Sequence, residues 1–176
     1  MNRRPRRASD NDRLSDSALL FQAIEFAAAA DAYAKATKGR EWTVLHFLIG
    51  RSMELALKAY ALHVGATERQ LRNELGHNIT AGLAFAEQNG LTVANGLSST
   101  DRQCIGRLGH WYEQKLLEYP LVQAYSFPRT RIIREILDRL IGAVFVDILG
   151  EPQYGFRREK RRKLGMSIDP DARYGD

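Results

Sequence analysis

Between residues 41 and 64 the chain carries Val44, Leu45, Leu48, Ile49, Leu55, Ala56, Ala59 and Leu62. At 3.6 residues per turn these cover so much of a helix's circumference that the segment has to be enclosed on most sides. Any fold open to this chain is therefore built around that helix. Its exceptions are equally informative. Arg51, Glu54 and Lys58 fall at i, i+3 and i+7, which puts two cations and an acid on one narrow face of an otherwise apolar rod. Two arrangements fit that face. Either it looks into solvent, or it forms a buried polar network that fixes how the central helix packs against the next one.

The remaining pattern is helical nearly throughout, with no sustained two-residue alternation that would mark a strand. Five helices are expected, forming an all-α, antiparallel bundle. The first runs from about Ser15 to Lys38, with Ser15 or Asp16 as its N-cap, Leu20, Ile24, Ala27 and Ala28 on one face, and Gly39 as its stop. The second spans Glu41 to Val64. After a break over Arg72–His77, the third extends from Asn78 to Gln88 and a loop follows Gly90. The cluster Ser98, Ser99, Thr100, Asp101 starts the fourth, expected from Thr100 to Leu117, and Tyr119-Pro120 ends it. Leu121 to Phe127 is ambiguous. Pro128 then opens a fifth helix whose apolar stripe, from Ile132 to Leu149, suits core packing or a dimer interface.

Composition places this helical domain among soluble globular proteins. Of 176 residues, 44% are hydrophobic and 27% charged, enough apolar surface for one core. No apolar run approaches the roughly 20 residues that span a bilayer, and the basic start leads into no signal-peptide core. With Cys104 as the single cysteine no intrachain disulfide can form, and the expected compartment is the cytoplasm. The net charge of +5 is unevenly placed. Residues 14–150 are neutral, while the excess lies in two basic tails, 1–13 and 151–176, which read as flexible and disordered. Arg157, Arg158, Lys160, Arg161, Arg162 and Lys163 form a dense cluster able to neutralise RNA or DNA phosphates, or simply to solvate a tail.

Several chemistries are poorly supported. His46, His63, His77 and His110 lack metal-ligand spacing, so neither a metal nor another cofactor is expected. There is no phosphate-binding loop ending in Gly-Lys-Ser or Gly-Lys-Thr and no dinucleotide-binding glycine turn. Arg107, His110, Trp111 and Tyr112 offer a patch for stacking bases, but Trp111 and Tyr112 read more readily as core.

The candidate site is Arg72-Asn73-Glu74-Leu75-Gly76-His77. A histidine changes charge in the neutral range and can move a proton, and an arginine's planar fork of donors suits a phosphate that gains charge in a transition state. In a catalytic arrangement His77 exchanges a proton with a ribose 2′-hydroxyl or a leaving 5′-oxygen, while Arg72 and Asn73 hold the scissile phosphate. In a structural arrangement His77 caps the third helix and pairs with Glu54 or Lys58.

Two long helices, the second bearing Glu54-Leu55-Ala56-Leu57-Lys58-Ala59-Tyr60, then Gly76-His77 opening a third, then a fourth ending in Tyr119-Pro120, resemble the HEPN superfamily of helical bundles. The resemblance covers about residues 15–149. It implies a bundle that many members use as a dimeric, metal-independent endoribonuclease, often a toxin of toxin–antitoxin or defence systems. Arg72, Asn73 and His77 match the local motif of those enzymes. In the catalytic members, however, the motif precedes the last long helix, and here it precedes the third. That placement groups this chain with HEPN-like branches expected to serve as non-catalytic modules for RNA or for a protein partner, the endoribonuclease being the alternative.

Overall fold

The computed structural model describes residues 14–38, 42–118 and 129–150. The described residues form a helical bundle of seven α-helical segments and one π-helical turn and contain no strand, as the periodicity predicts. α1 (Asp16–Ala36) is started by Ser15, whose hydroxyl accepts from the Ala18 N–H. α2 (Trp42–His63) is the enclosed helix. It packs against α1, against α4 (Ile79–Gln88), α6 (Ser99–Glu113) and α7 (Thr130–Leu149), and against the turn preceding α4. Every residue from Ser52 to Leu57 is buried, and so are Ala59, Tyr60 and Ala61. Leu20, Ile24 and Ala27 of α1 are buried as expected, and Ala28 is half-buried.

Small residues let α1 approach α2 closely. Ala23, Ala27 and Ala30 are buried in the core, and Ser52 of α2 donates to the Ala23 carbonyl at 2.6 Å, giving a buried hydroxyl the partner it needs. α7 covers the other side with Ile133, Ile136, Leu137, Leu140, Ile141, Val144 and Phe145, all buried, so the middle of the expected stripe is core, while Ile132 and Ile148 are half-buried and Leu149 is exposed. Each such side chain is worth about 1.5–3 kcal/mol when taken out of water.

Several expectations need correction. The stretch before Gly76 is no break: Thr67 and Gln70 form a reciprocal capping box that starts α3 (Glu68–Gln70), which runs directly into a π-helical turn, Leu71–Leu75. Leu71 and Leu75, four apart and both buried, anchor that turn to the core. The loop after Gly90 contains one further turn, α5 (Thr92–Asn95), held by buried Leu91, Ala94 and Leu97. Finally, α6 starts at Ser99, capped by Ser98, and ends at Glu113 rather than Leu117. Lys115 takes a left-handed conformation at φ +56°, its N–H bonding the Tyr112 carbonyl while the Leu116 N–H bonds that of Trp111. This turn-back brings Leu117 into the core. On α2, Val44 is 46% exposed and departs from the apolar face expected of it. Gly39, Tyr119-Pro120, the segment 121–128 and both tails, including Arg157, Arg158, Lys160, Arg161, Arg162 and Lys163, lie outside the described residues.

The α2–α6 crossing depends on a missing side chain. A β-carbon at Gly50 would sit 2.7 Å from the Tyr112 ring. Gly50→Ala is therefore expected to push Tyr112 off its seat and destabilise the fold by about 1–3 kcal/mol, read as a lower midpoint in urea unfolding. An unchanged midpoint would show that the ring can give way.

Candidate functional site

The polar face of α2 forms a network centred on buried Glu54, which is only 3% exposed, with Arg51 and Lys58 half-buried on either side of it. Its two carboxylate oxygens are shared among four donors. Oε1 accepts from Lys58 Nζ at 2.7 Å and lies 3.1 Å from His77 Nδ1. Oε2 accepts from the Tyr112 hydroxyl at 2.6 Å and from Arg51 Nη1 at 3.0 Å. Arg51 and Lys58 come from the same helix, one turn on either side, as their spacing dictates. Tyr112 arrives from α6, and His77 from the residue pair before α4.

The charge state of the network follows from this geometry. Burial works against an ionised Glu54, but the hydrogen bonds from Lys58 and Tyr112 and the charges of Lys58 and Arg51 outweigh it, holding the carboxyl below its usual range. Burial together with the neighbouring carboxylate pushes the Tyr112 phenol well above its ordinary value, so it remains a donor. The Arg51 guanidinium also lies over the Phe26 ring of α1, 5.9 Å from its centroid.

Gly76 sets the position of His77. The π turn ends with the Gly76 N–H bonded to the Leu71 carbonyl, and Gly76 then turns at φ +48°, ψ −126°, a conformation that a β-carbon disfavours. The chain leaves this turn with His77 against Glu54 and its ring edge-on to Tyr112, centroids 6.5 Å apart. His77 does not cap the following helix. Asn78 does, its Oδ1 accepting from the Ala81 N–H at 2.8 Å while its amide donates to Glu113.

His77 is held at one ring nitrogen yet 62% exposed, and it lines an open groove of about 620 Å³. Arg72, Arg51 and Lys58 line the same groove together with Glu68, Gln22 and Gly76, over apolar walls from Leu14, Leu19, Leu55 and Leu71. Arg72 and His77, paired in the sequence reading, thus share one surface. Asn73 does not join them: it is exposed on the π turn and is not among the groove's lining residues. The proposed base-stacking patch divides. Arg107 and His110 are exposed, Trp111 packs against the core, and Tyr112 turns inward to Glu54.

Sequence reading singled out Arg51, Glu54, Lys58, Arg72 and His77 but missed Tyr112 as the fourth donor and α1 as a wall of the groove. One signal for the first was present, since a tyrosine on the buried side of a helix carries a hydroxyl that must find a partner. Among the described residues no three His, Cys, Asp or Glu side chains gather to hold a metal ion, and no helix is long and apolar enough to cross a membrane. No family model matches the chain, and neither a curated protein nor a solved structure matches it.

A carboxyl whose pKa is lowered by folding binds fewer protons in the native than in the unfolded state. Its stabilisation is present in full above the unfolded carboxylate value of about 4.3 and is lost as pH falls toward and through the lower native value. Glu54→Gln is accordingly expected to cost about 2–3 kcal/mol near neutral pH, with the gap from wild type narrowing below about pH 4. Urea unfolding across that range measures it. A gap that stays constant with pH would mean that the lost charge is not what destabilises the variant.

Proposed function

We propose that this chain is a HEPN-like domain, an antiparallel bundle of five principal helices, that acts in the cytoplasm as a non-catalytic RNA-associated module. The observation that supports this reading is the sharing of one groove by Arg72 and His77, with Lys58 and Arg51 beside them. Arg72 is the exposed member of this set whose guanidinium is not engaged with Glu54, and its fork of donors matches phosphate oxygens. The apolar walls of the groove are leucines, and none of its lining residues is Phe, Tyr or Trp. Contact is therefore with backbone phosphate and sugar, and tolerant of sequence. The basic segments at either end of the sequence add long-range attraction of the same kind.

The test is binding of a dye-labelled single-stranded RNA, followed by fluorescence anisotropy as salt is raised. Arg72→Ala is expected to weaken binding similarly for different RNA sequences and to lower the slope of log affinity against log salt by about 1. A variant that keeps both wild-type affinity and slope would remove the groove from the RNA-binding surface.

One observation favours catalysis as a second reading. Glu54 fixes one nitrogen of His77, leaving the other for the groove that holds Arg72, which is the layout of an oriented proton-transfer group beside a phosphate clamp. On this reading the protein acts as a dimeric endoribonuclease of toxin or defence type. It predicts RNA cleavage in excess chelator that His77→Ala abolishes while leaving the melting temperature within a few degrees of wild type. Intact RNA after prolonged incubation with the wild-type protein would dismiss it.

A further inference from the structure

The Glu54–His77 contact determines which chemistry His77 offers to the groove. An ionised carboxylate has only acceptors, and Glu54 is held in that form by Lys58, Tyr112 and Arg51. The nitrogen facing it, Nδ1, must therefore carry a proton. In the neutral imidazole the other nitrogen, Nε2, is then a bare lone pair. It becomes an N–H donor only when the ring takes up a second proton. The oxygens of a phosphodiester are acceptors as well, so the neutral ring meets them lone pair to lone pair, and the imidazolium meets them with a charge-assisted hydrogen bond.

We infer that the groove binds phosphate through the imidazolium form of His77, so that taking up the anion and taking up a proton are one coupled event. This rests on the assignment of phosphate to the groove and adds to it a regulation by pH. Charged and titratable groups face His77 from the elements packed around it: the Glu54 carboxylate favours the imidazolium, while the neighbouring cations oppose a second proton on the ring and attract the anion instead. From α2 come Glu54, which keeps Nδ1 protonated, and the cations Arg51 and Lys58. From α6 come the Tyr112 ring and, one residue along at Asn78, the carboxylate of Glu113. The segment between α2 and α4 supplies Arg72 and Glu68, whose carboxylate accepts from the Leu14 N–H at 3.1 Å, and α1 supplies the neutral Gln22. Arg72 and the imidazolium are then two donors to one phosphate group, and deprotonation withdraws one of them.

The experiment uses the full chain and a short oligouridylate carrying a rhodamine dye, whose emission is insensitive to pH in this range. Affinity at constant salt is expected to fall about tenfold between about pH 5.5 and about pH 8. Calorimetry in two buffers of different ionisation enthalpy should show net proton uptake on binding. His77→Gln keeps an uncharged side chain of similar reach, so it should bind at the wild type's alkaline level across the range and lose the proton uptake. His63→Gln alters the Asp16-paired histidine outside the groove and should behave as wild type. The two ideas fail in different ways. Binding that Arg72→Ala weakens but that is level with pH, or that stays pH-dependent in His77→Gln, overturns the coupling alone. Binding indifferent to Arg72→Ala at every pH overturns the phosphate groove and the coupling with it.

Discussion

A carboxylate at 3% exposure is an expensive thing to keep in a helical core, and the organisation of this bundle around α2 follows from how Glu54 is kept there. Removing an ion from water costs several kcal/mol, and the cost is recovered only where partners satisfy the lone pairs with good geometry. Glu54 has four donors on two oxygens, and no buried side-chain nitrogen or oxygen among the described residues lacks a partner. Two of those donors are local, but Tyr112 and His77 come from elsewhere in the chain. The network therefore works only when α6 and the Gly76–His77 turn are both docked on α2. A leucine at position 54 would bury as well and would place neither of them. What the charge supplies is a defined orientation for three elements, at little net gain in stability.

The same requirement accounts for two local oddities. Gly50 lacks a side chain where the Tyr112 ring passes over α2, which lets the phenol reach Glu54. The π turn carries buried Leu71 and Leu75 on its core side and ends with the Gly76 N–H on the Leu71 carbonyl, from where the chain turns to His77. Neither feature is explained by propensity. Both make sense as the geometry needed to deliver a hydroxyl and an imidazole to one carboxylate.

How far the sequence disclosed this depends on the range of each interaction. Helices α1, α2, α4 and α7 were legible to within about two residues because their caps and apolar stripes are local signals. The Arg51, Glu54, Lys58 face was legible for the same reason, since helical spacing alone brings those side chains together. The capping box Thr67 with Gln70 was also a local signal, and overlooking it made a helical segment read as a break. Other features carry no local signature. Tyr112 finds Glu54 across 58 positions, and Lys115 occupies a left-handed site where glycine is the usual marker of a helix end. The pairing of Arg72 with His77 was visible as spacing, yet their sharing of a groove depends on the π turn and on α1 as the facing wall.

Residues 14–150 carry no net charge, but local placement decides what an approaching ligand encounters. Beneath the groove, Arg51 and Lys58 face one carboxylate, so the trio holds one positive charge in excess before His77 contributes anything. Lys58 and Glu54 are 16% and 3% exposed, so part of that charge is set back from the salt that screens the exposed Arg72. Glu68 offsets some of it at the rim, where its carboxylate is already engaged with the Leu14 N–H. An anion in the groove would meet two kinds of positive charge: the exposed Arg72, and the half-buried Arg51 and Lys58, which are 29% and 16% exposed and paired with Glu54, and so less open to screening. The Glu54 network consequently does more than hold helices in register. It sets His77 between the Glu54 carboxylate and the groove that His77 lines.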